Sequence, residues 1–227
     1  MSSAFPIILD MDDTVCDTNH YMYHGLLDYF SQRRLDCPMH QTIYLLLQQG
    51  YQHTIKLGRM LDTHAPDYAK LYNKVCMDHL LIDGGFMLTV RPLHNMIDYI
   101  ANVLRPHVHN RRIELYVGTH RGFCPVAKEN TKTWLFNQNI AGLISDIFVL
   151  DPATTPDKRE YFDKLFGEDY LLIDDNPCKV DPGYRSPQLL ISEQVHPVLP
   201  HLSNQNSFRN IEELNAHLTE LNIIPYK

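Results

Sequence analysis

Five short apolar runs recur along the chain, at Pro6–Leu9, Ile113–Val117, Ile147–Leu150, Tyr170–Ile173 and Leu189–Ile191, and they are largely continuous rather than alternating. A strand with one face in water alternates apolar and polar residues. A strand covered on both faces reads as an unbroken β-branched and leucine run, the habit of parallel sheets. The segments between the runs point the same way: Val126–Phe136 and Asp157–Phe166 carry helical spacing. Strands alternating with helices predict an α/β fold, a doubly wound parallel sheet of about five strands.

One interval breaks this rhythm. Asp12 and Thr119 are 107 positions apart, whereas a strand, a crossover helix and a second strand need only about 30 residues. The helix leading into the second strand is expected at Pro92–Leu104, with Leu93, Met96, Ile97, Ile100 and Leu104 on one face. The rest of the interval predicts an inserted unit, with a core over residues 1–15 and 89–227 and a helical insert over 16–88. Helices are expected in the insert at Thr18–Arg33, Met39–Gln49, Thr54–Asp62 and Pro66–Leu81, broken at Cys37-Pro38, Gly50 and Ala65-Pro66. Its aromatic residues, among them Tyr21, Tyr23, Tyr29, Phe30 and Tyr72, either fill a small core or stack on a ligand; both readings stay open. Near the C-terminus, Asn210 followed by Glu213 marks the start of a last helix.

Composition narrows the functional classes. A 227-residue chain that is 44% hydrophobic can bury a core, and a formal charge of −7 from 20 basic and 27 acidic residues leaves no footprint for long nucleic acid or an anionic membrane. The five cysteines are widely spaced without a CxxC pair, which fits neither a disulfide framework nor a zinc ribbon. With no basic segment leading into an apolar stretch and no run of membrane-span length, the expectation is a soluble cytoplasmic protein.

The chemistry gathers at the strand ends. Asp10 and Asp12 follow the first run in Asp10-Met11-Asp12-Asp13-Thr14, and Asp174 and Asp175 close the fourth in Leu171-Leu172-Ile173-Asp174-Asp175, ahead of Asn176-Pro177. Ligands of open α/β sheets bind outside the carboxyl ends of the strands. Carboxylates crowded there raise one another's pKa values unless a cation neutralises them, and an all-oxygen cluster suits Mg²⁺. Such an ion takes its remaining ligands from water and substrate phosphate, and a carboxylate is itself a nucleophile for phosphoryl transfer. The second run ends in Gly118-Thr119-His120-Arg121, which supplies a hydroxyl, backbone N–H groups and basic side chains for phosphoryl oxygens. A fixed cation comes from Lys158 at the start of a helix near the same rim, in preference to Lys164 nearly two turns further on. Asp13 is expected to be a solvated acid turned away from its neighbours. His94, His107 and His109 read as surface histidines, and Arg111-Arg112 as a solvated pair.

The set Asp10-Met11-Asp12-Asp13-Thr14, then Val117-Gly118-Thr119, then a lysine, then Leu171-Leu172-Ile173-Asp174-Asp175 resembles the four motifs of the haloacid dehalogenase-like (HAD) phosphatases, which have a Rossmann-like core and a mobile cap. Within that superfamily the chain looks most like the 5′(3′)-deoxyribonucleotidases, through Asp17 after the first motif, the re-entry segment Phe86–Leu104 and the C-terminal stretch Leu189–Pro197. It departs from their pattern at Asp13-Thr14 and at Thr119-His120, and their lysine spacing would select Lys164. The segment from Asp157 also resembles the phosphatase half of phage polynucleotide kinases. The resemblance implies Asp10 as nucleophile and Asp12 as general acid/base. It implies Mg²⁺ held by Asp10, the Asp12 backbone carbonyl, Asp174 and Asp175, with Thr119, His120 and Lys158 around the phosphate. The implied substrate is a nucleoside monophosphate. Nucleic-acid 3′-phosphate ends, another small phosphate ester, or nucleotide binding without catalysis are the alternatives, and a homodimer stays open.

Overall fold

The computed structural model describes residues 4–49, 54–167, 169–175, 188–191, 207–208 and 211–225. Asn176-Pro177, Gly50 and Asn210 lie outside the described residues. The chain divides into two compact units, Met1–Cys16 with Pro92–Lys227, and Asp17–Arg91.

In chain order the elements are β1 (Phe5–Leu9), α1 (Thr18–Arg33), α2 (Pro38–Gln48), α3 (Thr54–His64), α4 (Pro66–Val75), a π-helical stretch Cys76–Leu81 and α5 (Phe86–Thr89). There follow α6 (His94–Asp98), a second π-helical stretch Tyr99–Leu104, α7 (Arg105–His109), β2 (Ile113–Thr119), α8 (Ala127–Asn137), β3 (Ile144–Val149), α9 (Lys158–Phe166), β4 (Leu171–Asp174), β5 (Gln188–Ile191), β6 (Ser207–Phe208) and α10 (Ile211–Glu220). Among the described residues no helix is long and apolar enough to cross a membrane.

Among the described residues the first unit holds a six-stranded sheet in the order β3-β2-β1-β4-β5-β6, with every pair parallel. The strand beyond the five apolar runs is β6, whose two residues are too few to leave a run in the sequence. β1 sits in the middle, and the chain fills one side with β2 and β3 before crossing to β4. That reversal makes the carboxyl ends of β1 and β4 a switch point, the usual place for a ligand crevice. The register puts Leu9 beside both Val117 and Ile173, so Asp10, Gly118 and Asp174 emerge at one level, and the Asp10 amide donates to the Ile173 carbonyl at 2.9 Å. Ile7, Ile8 and Leu9 of β1 and all four residues of β4 are buried, which is why neither run alternates.

Under one face of the sheet, Phe162 of α9 packs with Ile8, Leu150, Tyr170 and Leu172, edged by Tyr116, Phe148, Tyr161 and Phe166. Gly118 makes this possible: a Cβ there would stand 2.5 Å from Phe162 Cζ and 2.7 Å from Ile8 Cγ2. The missing side chain lets α9 lie close against β2. On the way into β2, the helix runs as π-helix over Tyr99–Leu104, with the Arg105 amide donating to Ile100 O. Pro106 lacks the N–H and crowds the carbonyl one turn back, so the helix widens ahead of it.

The second unit buries Leu26, Phe30, Ile43, Leu47, Leu57, Leu61, Ala69, Tyr72 and Val75. α1 shows how the sequence builds it. Asp17 caps the helix by accepting from the His20 amide, and Asn19, Met22, Leu26 and Phe30 recur at helical spacing on its buried face. Pro38 and Pro66 open α2 and α4, where an absent N–H goes unmissed. Asp17 also takes the Arg91 guanidinium on its Oδ2, so the two ends of this unit are tied by an ion pair as well as by the Asp17 amide to Arg91 O bond.

Candidate active site

The loop after β1 is wound tightly on itself. The Val15 and Cys16 amides both donate to Met11 O, at 3.0 and 2.9 Å, the Cys16 thiol adds a third bond to it at 3.2 Å, and the Asp13 amide donates to Cys16 O at 2.7 Å. Asp13 is carried in a left-handed conformation at φ 57°, one of the few non-glycine residue types that adopt it readily. This winding fixes where Asp10 and Asp12 start from.

Asp10 is buried, and its Oδ1 is 2.7 Å from Lys158 Nζ. The same ammonium donates to Asp174 Oδ2 at 2.8 Å. Lys158 reaches both because Asp157 caps α9, accepting from the Arg159 amide, so the helix begins at the rim with Lys158 as its first residue. Lys164 lies in the last turn, exposed. One carboxylate oxygen from each of Asp10, Asp174 and Asp175 comes within 4.8 Å of the others.

The electrostatics follow from this crowding. Burial, helped by the charges of Asp174 and Asp12, outweighs Lys158 and pushes the Asp10 carboxyl up to about 7. Burial, then the charges of Asp174, Asp13 and Asp10, raise Asp175 well above the ordinary carboxylate range. Burial alone would lower the Lys158 ammonium, but Asp10 and Asp174 more than reverse it and hold the lysine charged. One ammonium thus faces three carboxylates. That is the donor set of a hard divalent cation with oxygen ligands, and the residues fit such an ion.

Asp12 takes a different direction. Its carboxylate receives a two-pronged grip from Arg121, Nε to Oδ2 at 3.0 Å and Nη2 to Oδ1 at 2.6 Å. The Thr119 hydroxyl, fully buried at the end of β2, donates to Asp12 Oδ2 at 3.5 Å. His120 turns to the loop after β3: its Nε2 is 2.8 Å from Thr155 O. A carbonyl only accepts, so Nε2 carries the proton. Burial, then the Lys158 charge, lower the imidazole's pKa against the opposing pull of Thr155 O, Asp174 and Asp157. The geometry therefore gathers Asp10, Asp174, Asp175 and Lys158 into one cluster and joins Asp12 to Thr119, while His120 spends one ring nitrogen on the Thr155 carbonyl.

Two features were invisible to sequence reasoning. Arg121, expected among the basic side chains for phosphoryl oxygens, is buried and grips Asp12 instead; the two lie 109 positions apart, and no local pattern announces such a pair. Asp13, expected to be turned away, contributes to the field at Asp175; the left-handed turn that brings it there is a backbone property that strand alternation does not describe.

No protein-family profile matches the sequence, and no curated protein matches it. Solved structures do match. The chain is similar along its whole length to a HAD family hydrolase of Deinococcus radiodurans with bound phosphate and sodium, at 15% identity and a TM-score of 0.58, covering all of both chains. It is similar to the haloacid dehalogenase-like family hydrolase SP0104 of Streptococcus pneumoniae, at 16% identity and 0.52, over 96% of this chain and 100% of that one. The magnesium-bound Bacillus subtilis protein YfnB, assigned to the HAD hydrolases, matches at 18% and 0.50, over 96% and 99%. The fold is that of the HAD hydrolases: a Rossmann-like α/β sheet.

Proposed function

We propose that the chain is a Mg²⁺-dependent phosphomonoesterase of the HAD type, acting on nucleoside monophosphates as a 5′-deoxyribonucleotidase does. The observation that carries this reading is the buried Asp10 carboxylate, paired with Lys158 and set within one cluster with Asp174 and Asp175. The magnesium on the Bacillus subtilis protein and the phosphate on the Deinococcus radiodurans one, both of this fold, support pairing a cation with a phosphoryl group here.

Asp10, Asp174 and Asp175, with the Asp12 backbone carbonyl, would hold the ion, which would neutralise the carboxylates and draw charge from the phosphoryl oxygens. Asp10 attacks phosphorus; the bond from phosphorus to the ester oxygen breaks, and Asp12 delivers a proton to that oxygen. Water then attacks the aspartyl-phosphate, giving a proton to Asp12 and releasing phosphate with Asp10 restored. Lys158 holds the phosphoryl oxygens and offsets the charge of Asp10 through both steps, and the Thr119 hydroxyl, which rests on Asp12 Oδ2, would turn to a phosphoryl oxygen when substrate binds. His120, neutral and anchored on Thr155, borders the phosphate. The Asp17–Arg91 unit is the cap, and a cytoplasmic setting belongs to the same reading. The nucleotide preference rests on the sequence resemblance.

Phosphate release from nucleoside 5′- and 3′-monophosphates, 3′-phosphorylated oligonucleotides and small phosphate esters, with and without Mg²⁺, tests the proposal. Release from 5′-monophosphates that needs Mg²⁺ and vanishes in Asp10→Asn is expected. Preference for 3′-phosphorylated ends would move the assignment to an end-processing phosphatase, and release undiminished in the variant would remove the mechanism.

A further inference from the structure

We propose that Arg121 is the positioning residue that aims the Asp12 carboxyl at the leaving oxygen of the ester; this rests on the phosphatase reading above. Arg121 follows Thr119 by two residues at the end of β2, and its side chain is 1% exposed while that of Asp12 is 31% exposed. The buried guanidinium thus grips a carboxyl that is itself only part-buried.

The grip has a base of its own. Nη1 donates to Thr131 Oγ1 in α8 at 3.3 Å, and Nη2 is also 3.3 Å from Cys16 Sγ in the loop after β1. The guanidinium is therefore fixed by two parts of the unit before it meets Asp12. The planar fork takes both carboxylate oxygens at once, which sets the rotation of the carboxyl about its terminal torsion, otherwise a broad and soft one. Thr119 adds a hydroxyl on the Oδ2 side. Transfer of a proton in the transition state needs the acid within hydrogen-bond reach of its target, so a carboxyl loosened by even a fraction of its arc loses rate. Lysine in place of Arg121 would supply the charge without the fork.

The competing account is a purely structural ion pair that only holds the loop to β2. The two differ in how the loss depends on the ester. Breaking the bond to an alkyl oxygen requires the proton from Asp12, whereas 4-nitrophenolate departs without one. Because kcat/KM covers the steps up to departure of the leaving group, it isolates this proton transfer from the later attack of water.

The test compares Mg²⁺-loaded wild type, Arg121→Lys and Arg121→Gln on an alkyl phosphate monoester and on 4-nitrophenyl phosphate, with thermal melting as the check on folding. The expected result is a fall in kcat/KM on the order of a hundredfold for the alkyl ester, little change for 4-nitrophenyl phosphate, and no further fall when Arg121→Lys is added to Asp12→Asn. Equal losses on the two esters, no loss, or a full additional loss in the Asp12→Asn background would overturn the proposal. If neither arginine variant folds, Thr131→Val decides: it removes only the Nη1 partner, and its smaller loss must show the same dependence on the ester, an ester-independent loss being contrary. A wild type that hydrolyses no ester overturns the phosphatase reading together with this one, whereas an active wild type with ester-independent losses overturns this one alone.

Discussion

Asp10 is a carboxylate that the fold holds above its ordinary range, and the sign of that change has a measurable consequence. Its pKa rises from 3.8 to about 7, first through burial and then through Asp174 and Asp12. The native state therefore binds this proton more tightly than the unfolded chain. The stability it contributes is fully present below about pH 4 and is lost as pH rises through about 7. On the proposed reading a divalent cation takes the place of the missing protons. Melting in chelator and in Mg²⁺ is thus expected to show a larger gain from Mg²⁺ at pH 8 than at pH 5. A gain independent of pH would mean that the cation does not meet these carboxylates. At this scale the sequence was informative about residue types: acids closing two apolar runs could be read directly. It did not show that Arg121 pairs with Asp12 or that Asp13 reaches the field of Asp175, because pairings across more than a hundred positions and a left-handed turn leave no periodic trace.

Among the elements, α9 is the one on which the site depends, and Gly118 governs how near it comes. Phe162 lies over Gly118 one turn along from Lys158, the first residue of the helix. Gly118→Ala forces a methyl against Phe162 and Ile8 and is expected to destabilise the protein by about 1–3 kcal/mol. It should also lower phosphate release by displacing the Lys158 end of α9. Adding Phe162→Leu should recover part of both losses, measured by urea unfolding and by phosphate release; a neutral Gly118→Ala would contradict the packing. That Lys158 stands at the start of α9 and Lys164 in its last turn was readable from the sequence, because the helical spacing begins just after Asp157. The π-helical stretches were not: Cys76–Leu81 and Tyr99–Leu104 have the spacing of an ordinary helix continuing from Pro66 and His94, and a one-residue widening does not alter an apolar stripe enough to be seen. Pro106 was the available signal for the second.

For the molecule as a whole, the parallel sheet was legible because burial on both faces leaves continuous runs, and the 107-position interval was legible because chain length has no other place to go. What the runs could not show is strand order. That β1 lies between β2 and β4, bringing Asp10 beside Asp174, follows from crossovers whose direction composition does not encode. The same order is what turns two separate acidic motifs into one cluster, so the central claim is that Asp10 itself carries the phosphoryl group. Acid quench during turnover with Mg²⁺ and a nucleoside 5′-monophosphate, borohydride reduction and peptide mass spectrometry tests it directly. An acyl phosphate on Asp10 is reduced to homoserine, and conversion at position 10 alone is predicted. Phosphate release with Asp10 unmodified, or homoserine at another carboxylate, would contradict the account.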